Sequence, residues 1–224
     1  MIFFSKLIDR LPSFLYGLSL TLRLTFLCSI FGFLAALPIV IGVIYGNKFF
    51  KNLSKAYITI IRGTPMIVQM FFIYYGFPGI GIKLKPFEAA LIGFILNSAA
   101  YQAEYLKGGF LAITSEQLEA AYSIGLNKWN AIRYIILPQA IRFSIPALTN
   151  EIIYLIKYTS VAYLIAVPEL FAQAKFFASD TYFFIETYVF IGIIYLIMIF
   201  FITKLANYIE KKLFIPGFDI SHLK

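Results

Sequence analysis

The apolar positions of this chain fall in long, nearly unbroken runs rather than in the narrow periodic stripe of a soluble surface helix. Five runs approach or exceed the length that crosses about 30 Å of hydrocarbon: residues 11–44, 53–77, 87–106, 147–167 and 188–205. The first holds no charge between Leu24 and Asn47. Turn chemistry separates the runs. Tyr45-Gly46-Asn47-Lys48 reads as a turn and Phe77-Pro78-Gly79-Ile80-Gly81 as a Gly/Pro break. Residues 168–186 read as a loop with a short surface helix. The pattern predicts an all-α integral membrane protein, a single domain over residues 1–224, with five transmembrane helices.

Composition strengthens that reading. Hydrophobic residues make up 61% and charged residues 13% of the chain, where soluble domains run near half and a quarter. The mean hydropathy is +0.83. A net charge of +8 in a soluble chain would suggest nucleic acid. Here the distribution of charge points to membrane orientation instead, with no nucleic-acid partner. Eleven Lys and Arg, among them Lys48, Lys107, Lys128, Arg133 and Lys211, fall to one side of the runs, against five on the other. The asymmetry puts the segment 107–146 and the C-terminus in the cytoplasm and the N-terminus outside, as an odd number of crossings requires. The first ten residues lack a small-residue cleavage site after an apolar core and read as retained sequence. One cysteine, Cys28, excludes an internal disulfide and a multi-cysteine metal site, and one histidine, His222, leaves no histidine chemistry. No cofactor is implied.

The segment 107–146 is long for a small membrane protein. Glu119-Ala120-Ala121-Tyr122-Ser123-Ile124-Gly125-Leu126 opens with strong helix formers and reaches a glycine able to end the turn. Residues 129–137 form a second amphipathic piece, closed by Leu137-Pro138. Physical chemistry alone allows two roles, a helix lying on the inner leaflet or a docking helix for a partner.

The same residues carry a family resemblance. Gln117-Leu118-Glu119-Ala120-Ala121-Tyr122-Ser123-Ile124-Gly125, followed by Ile136-Leu137-Pro138-Gln139-Ala140, resembles the EAA loop of binding-protein-dependent ABC transporter permeases. Arg62-Gly63-Thr64-Pro65 with Val68-Gln69, Ala100-Tyr101-Gln102-Ala103-Glu104 with Gly108-Gly109, Lys157-Tyr158-Thr159-Ser160, and Gly17 with Thr21 resemble the polar amino acid branch. The resemblance implies a permease of a bacterial cytoplasmic (inner) membrane importer. It also implies a cytoplasmic coupling helix between helices three and four that sits in a cleft of a separate ATP-binding cassette ATPase. Glu119, Ala120, Ala121, Gly125, Leu137 and Pro138 would make that joint. Further implied partners are a periplasmic or lipid-anchored substrate-binding protein and a second permease chain, identical or related, because five helices are too few to enclose a pathway. The chain contains no Gly-x-x-x-x-Gly-Lys-Ser/Thr and is not expected to be an enzyme itself.

Charges within the runs need a reason, since one at the bilayer centre costs about 2.5–3.5 kcal/mol. Arg23 lies near a boundary and can snorkel. Glu88 and Glu151 fall near span ends and read as boundary or interhelical residues. Lys157 has no snorkelling route and requires either a wet pathway or an ion pair. Pro65 and Gly63 break the second run beside Arg62, and broken helices persist where freed backbone lines a cavity. A zwitterionic solute needs donors, which Arg62, Thr64, Lys157, Thr159 and Ser160 offer, and acceptors, which Asn97, Glu104 and Gln69 offer. The family resemblance adds Tyr101 and Tyr158 as cavity lining. Each of these residues has packing as its alternative role. Arg62 and Lys157 favour glutamate, aspartate or glutamine over a basic amino acid or cystine.

Overall fold

The computed structural model describes residues 2–113 and 115–213. His222 and Lys224 lie outside the described residues. Those residues are almost wholly helical, with no strand among them. A short α1 (Ile2–Asp9) leads into α2 (Leu11–Tyr45), whose buried positions Gly17, Thr21, Leu24, Cys28, Gly32, Ala36 and Val40 recur every three or four residues. That stripe packs on α5 (Pro86–Leu111), which buries Ala89, Ala90, Gly93, Phe94, Ala99, Ala100, Ala103 and Leu106. Small residues let helix backbones approach closely where lipid supplies no hydrophobic drive for association. α5 is therefore the central helix, covered by α2 on one side and by α8 (Leu137–Tyr158) on the other.

The second apolar run is two helices. α3 (Lys48–Gly63) and α4 (Met66–Phe71) meet at Gly63-Thr64-Pro65, and the pair bends by 103°. Pro65 withholds the donor that would continue α3. Asn47 caps the start of α3 by accepting from the Phe50 amide at 3.1 Å.

Between α5 and α8 the connection is shorter than the expected loop of residues 107–146. α5 runs to Leu111, and after α6 (Ser115–Ser123) and α7 (Lys128–Ala131) the chain is helical from Lys128 onward. Leu137-Pro138 does not close that helix as expected. A π turn at Ile132–Ile136 precedes Pro138, and the Gln139 side-chain amide donates to the Ile135 carbonyl at 3.0 Å. A wide turn relieves the clash between a proline ring and the preceding carbonyls, so the helix passes through Pro138 and Pro146. α8 consequently starts ten residues ahead of the apolar run 147–167 that announces it.

The expected surface helix in residues 168–186 is α9 (Leu170–Thr181), and one face of it is buried. Leu170, Ala172, Ala174, Phe177 and Ala178 pack between α2 and α10 (Phe184–Leu213) with Phe14 and Ile191. Glu169 is fully buried and caps α9, accepting from the Phe171 and Ala172 amides at 2.9 and 2.7 Å. Thr21 and Tyr195 approach the same carboxylate at 3.5 Å. Gly17 is what lets α9 come this close: a Cβ there would stand 3.0 Å from the Glu169 backbone.

By length and composition α2 and α10 each qualify as membrane spans. Two bent pairs, Lys48–Gly63 with Met66–Ile80 and Lys128–Ile165 with Leu170–Thr181, bring the number to four. The expected fifth, α5, is not among them, since it carries Asn97, Gln102, Glu104 and Lys107. Gln102 donates to Ser98 at 2.8 Å and to the Ser29 carbonyl at 3.3 Å.

Candidate functional site

The α3–α4 break organises one polar region. Where the helix stops, carbonyls of its last turn lose their partners. The Thr64 hydroxyl donates to the Ile60 carbonyl at 2.9 Å. The Gln69 amide nitrogen donates to the carbonyls of Ile61 and Thr64 at 2.6 and 3.0 Å and to the Thr64 hydroxyl at 2.8 Å. Its oxygen accepts from Asn97 Nδ2 at 3.1 Å, tying the break to the middle of α5. Tyr57 makes a second tie, its hydroxyl donating to the Leu96 carbonyl at 2.6 Å.

Three cavities adjoin this region. One of about 340 Å³ is lined by Arg62, Gly63, Thr64, Pro65, Met66, Asn97, Tyr101 and Tyr158. A second, of about 240 Å³, shares Asn97, Tyr101 and Tyr158 and extends to Tyr105, Glu151 and Tyr154. The third, of about 330 Å³, shares Arg62 and is lined further by Lys55, Thr59, Glu104 and Lys107. The shared residues make one polar track with Glu151 at one end and a cluster of cations at the other. Arg62 stands between the first and third cavities. Its guanidinium lies 5.1 Å from the Tyr101 ring centroid and 3.8 Å from Glu104. Lys107 holds the same carboxylate more closely, at 2.7 Å.

Arg62, Thr64, Gln69, Asn97, Tyr101, Glu104 and Tyr158 thus come together. Lys157, Thr159 and Ser160 do not line these cavities. Lys157 is exposed and lies over the Tyr154 ring, 4.4 Å from its centroid. Thr159 is buried, its hydroxyl donating to the Ile156 carbonyl at 2.7 Å, and Ser160 donates to the Lys157 carbonyl at 2.6 Å. Of the two readings of Glu151, boundary or interhelical, the structure fits the interhelical one. Glu151 is 5% exposed, well inside α8, and accepts a hydrogen bond from Ser98. No cation pairs with it among the described residues. Tyr105 and Tyr154 were not singled out in the sequence. Their spacing of four from Tyr101 and Tyr158 was the available signal. Arg23 lies over the Phe87 ring, and Glu88 accepts from the Lys85 amide at 2.9 Å at the start of α5.

At the other candidate site, α6 exposes Glu119 and Ala120 and buries Ala121. Gly125 ends it at φ +83°, with its amide on the Tyr122 carbonyl at 2.9 Å and the Leu126 amide on the Ala121 carbonyl at 3.1 Å. This paired closure requires a left-handed residue. Beside it Ile124 is 73% exposed and Trp129 61%. Ala131, Ile132 and Ile136 anchor the segment to the bundle, Leu137 is half-buried and Pro138 exposed. Among the described residues no group of His, Cys, Asp and Glu could hold a metal ion.

Comparison with known proteins places this architecture. The model of the family described as "binding-protein-dependent transport system inner membrane component" matches residues 11–215. The probable amino-acid ABC transporter permease protein YckA of Bacillus subtilis is 42% identical over 170 residues, 75% of either chain. The putative glutamine transport system permease protein GlnP of Rickettsia bellii is 33% identical over 216 residues, 95% of this chain and 99% of its own. A crystal structure of an amino acid ABC transporter with histidines superposes with a TM-score of 0.84 at 37% identity, covering 92% of this chain and 96% of that one. With the match running through the helix break, the central helix and the α6 turn alike, this chain belongs to the inner membrane components of binding-protein-dependent transport systems.

Proposed function

We propose that this chain is the permease subunit of an ATP-driven importer that moves a polar amino acid across a bacterial cytoplasmic membrane. The observation that carries the reading is the polar track with opposite charges apart from one another: Arg62 toward a solute carboxylate, Glu151 toward its ammonium, with Asn97, Tyr101 and Tyr158 between. The relative named for glutamine and the structure holding histidines support the amino-acid class. The cations around Arg62 favour glutamate, aspartate or glutamine as the solute. In the full transporter, reconstituted with its ATPase and solute-binding protein, uptake of radiolabelled L-glutamate, L-aspartate, L-glutamine, L-histidine, L-arginine and L-cystine is the test. ATP-dependent accumulation should be fastest for one of the first three. Fastest accumulation of arginine or cystine would refute the acidic or amide preference, and accumulation of none of the six would refute the amino-acid reading.

The same proposal includes five crossings with the N-terminus outside, α5 counted as a span because its polar face is internal. A second permease chain, identical or related, closes the track, and the α6 segment docks the ATPase. In a Cys28→Ser background, single cysteines at Lys128 and Lys211 should react with an impermeant maleimide only from the cytoplasmic side, and those at Lys83 and Lys175 only from outside. Labelling of position 128 from outside would overturn the orientation.

A further inference from the structure

Glu104 has two cationic neighbours, and it does not hold them equally. Lys107, one helical turn along α5, sits at 2.7 Å, within charge-assisted hydrogen-bond length. Arg62 stands off at 3.8 Å, outside that length, and lies against the Tyr101 ring. None of the three is deeply buried, the side chains being 30% to 39% exposed, so none is locked in place by packing. Arg62 is also the residue that two cavities have in common.

Resting on the pathway reading above, we infer that Lys107 is a positioning residue: it neutralises Glu104 and thereby leaves the Arg62 guanidinium free for the carboxylate of the passing solute. A guanidinium prefers a planar two-point pairing with a carboxylate. With Lys107 in place, Glu104 already has a close partner and Arg62 is held by the ring face, which occupies its π surface and leaves its N–H edge open. Without Lys107, the nearest carboxylate to Arg62 is an uncompensated Glu104. The guanidinium then closes onto it and is lost to the solute. Lys55, on the far wall of the same cavity, is not among the ion pairs of Glu104 and does not substitute.

The distinguishing feature is sign dependence. Lys107 matters only while position 104 carries a negative charge. The experiment is a double-substitution cycle in the reconstituted transporter, with the amino acid that the parental complex imports fastest from the six above as probe, at saturating solute-binding protein. Lys107→Met should lower the initial uptake rate about tenfold, the scale set by one charge-assisted hydrogen bond. In a Glu104→Gln background the same Lys107→Met change should alter the rate by less than about twofold. Lys107→Arg, which keeps the charge, should transport at the parental rate. Arg62→Met should lower uptake and make it insensitive to Lys107→Met. A parental rate in Lys107→Met, or an equal loss with glutamine at position 104, overturns the inference while leaving the pathway reading intact. A parental rate in Arg62→Met overturns both. Retention of the ATPase on purification confirms that each variant compared is assembled.

Discussion

Gly125→Asp should yield a membrane-inserted permease that retains little ATPase after purification. The backbone at Gly125 is left-handed, φ +83°, and two closing hydrogen bonds depend on it. A side chain in that region costs about 1 kcal/mol from strain alone. Among the described residues nothing lies within 4 Å of where a Cβ would stand, so a further loss would report the proposed partner surface at this turn. The neighbouring Ile124 is 73% exposed, and docking of the proposed ATPase on this turn would cover it. Glu119→Lys should act in the same direction by reversing a charge on the exposed face of α6. The bundle should be indifferent to both changes, since Ala121, Ala131, Ile132 and Ile136 anchor the segment and none is altered. Co-purification of the ATPase in detergent, together with solute-stimulated ATP hydrolysis, measures the effect. Both readouts should fall at least tenfold, about 1.4 kcal/mol of coupling. Parental retention and hydrolysis in both variants would remove this turn from the coupling between motor and membrane.

The turn at Gly125 was legible in the sequence because its chemistry is local: a helix former run, a glycine, then a polar stop. The break at Arg62-Gly63-Thr64-Pro65 was legible for the same reason. What escaped depended on where helices begin and how they rotate. Glu151 read as a boundary or an interhelical residue because the apolar run begins at Ala147, whereas α8 starts at Leu137 and carries its early turns through Pro138 and Pro146. No hydropathy window finds a helix start that is stabilised by a preceding π turn and a glutamine side chain. Thr159 and Ser160 were grouped with Tyr158 as lining, but α8 tightens to a 3₁₀ helix at Thr159–Ile165. Three residues per turn instead of 3.6 shifts the facing of every later side chain, and both hydroxyls satisfy carbonyls of their own helix. Nothing in the sequence distinguishes a solvated glutamate from one buried, like Glu169, as a helix cap. Gly17, two turns into α2, is the distant residue that makes room for it.

Glu151→Gln should abolish most transport without disturbing assembly. Glu151 is the carboxylate of the polar track that no cation neutralises among the described residues, in contrast to Glu104, which Lys107 and Arg62 share. It lines a cavity of about 240 Å³ with Asn97 and the rings of Tyr101, Tyr105, Tyr154 and Tyr158. Aromatic faces attract an ammonium group and a buried carboxylate completes its coordination. Glutamine matches the glutamate in size and its amide oxygen can still accept from Ser98, so the packing of α5 against α8 is kept. The substitution replaces a carboxyl by a neutral amide of nearly the same shape. A hydrogen bond to a charged group contributes about 1.5–3 kcal/mol, which corresponds to about ten- to hundredfold in binding. The measurement that isolates this term is equilibrium binding of the imported amino acid to the purified permease–ATPase complex with the solute-binding protein absent, since that protein makes its own selection. Affinity there and uptake in proteoliposomes should fall together, with unchanged yield and ATPase retention. Glu151→Leu should lose both functions more completely, because it also strands the Ser98 hydroxyl. Parental affinity and uptake in Glu151→Gln would show that this carboxylate serves the packing of α8 and that the ammonium of the solute is met elsewhere.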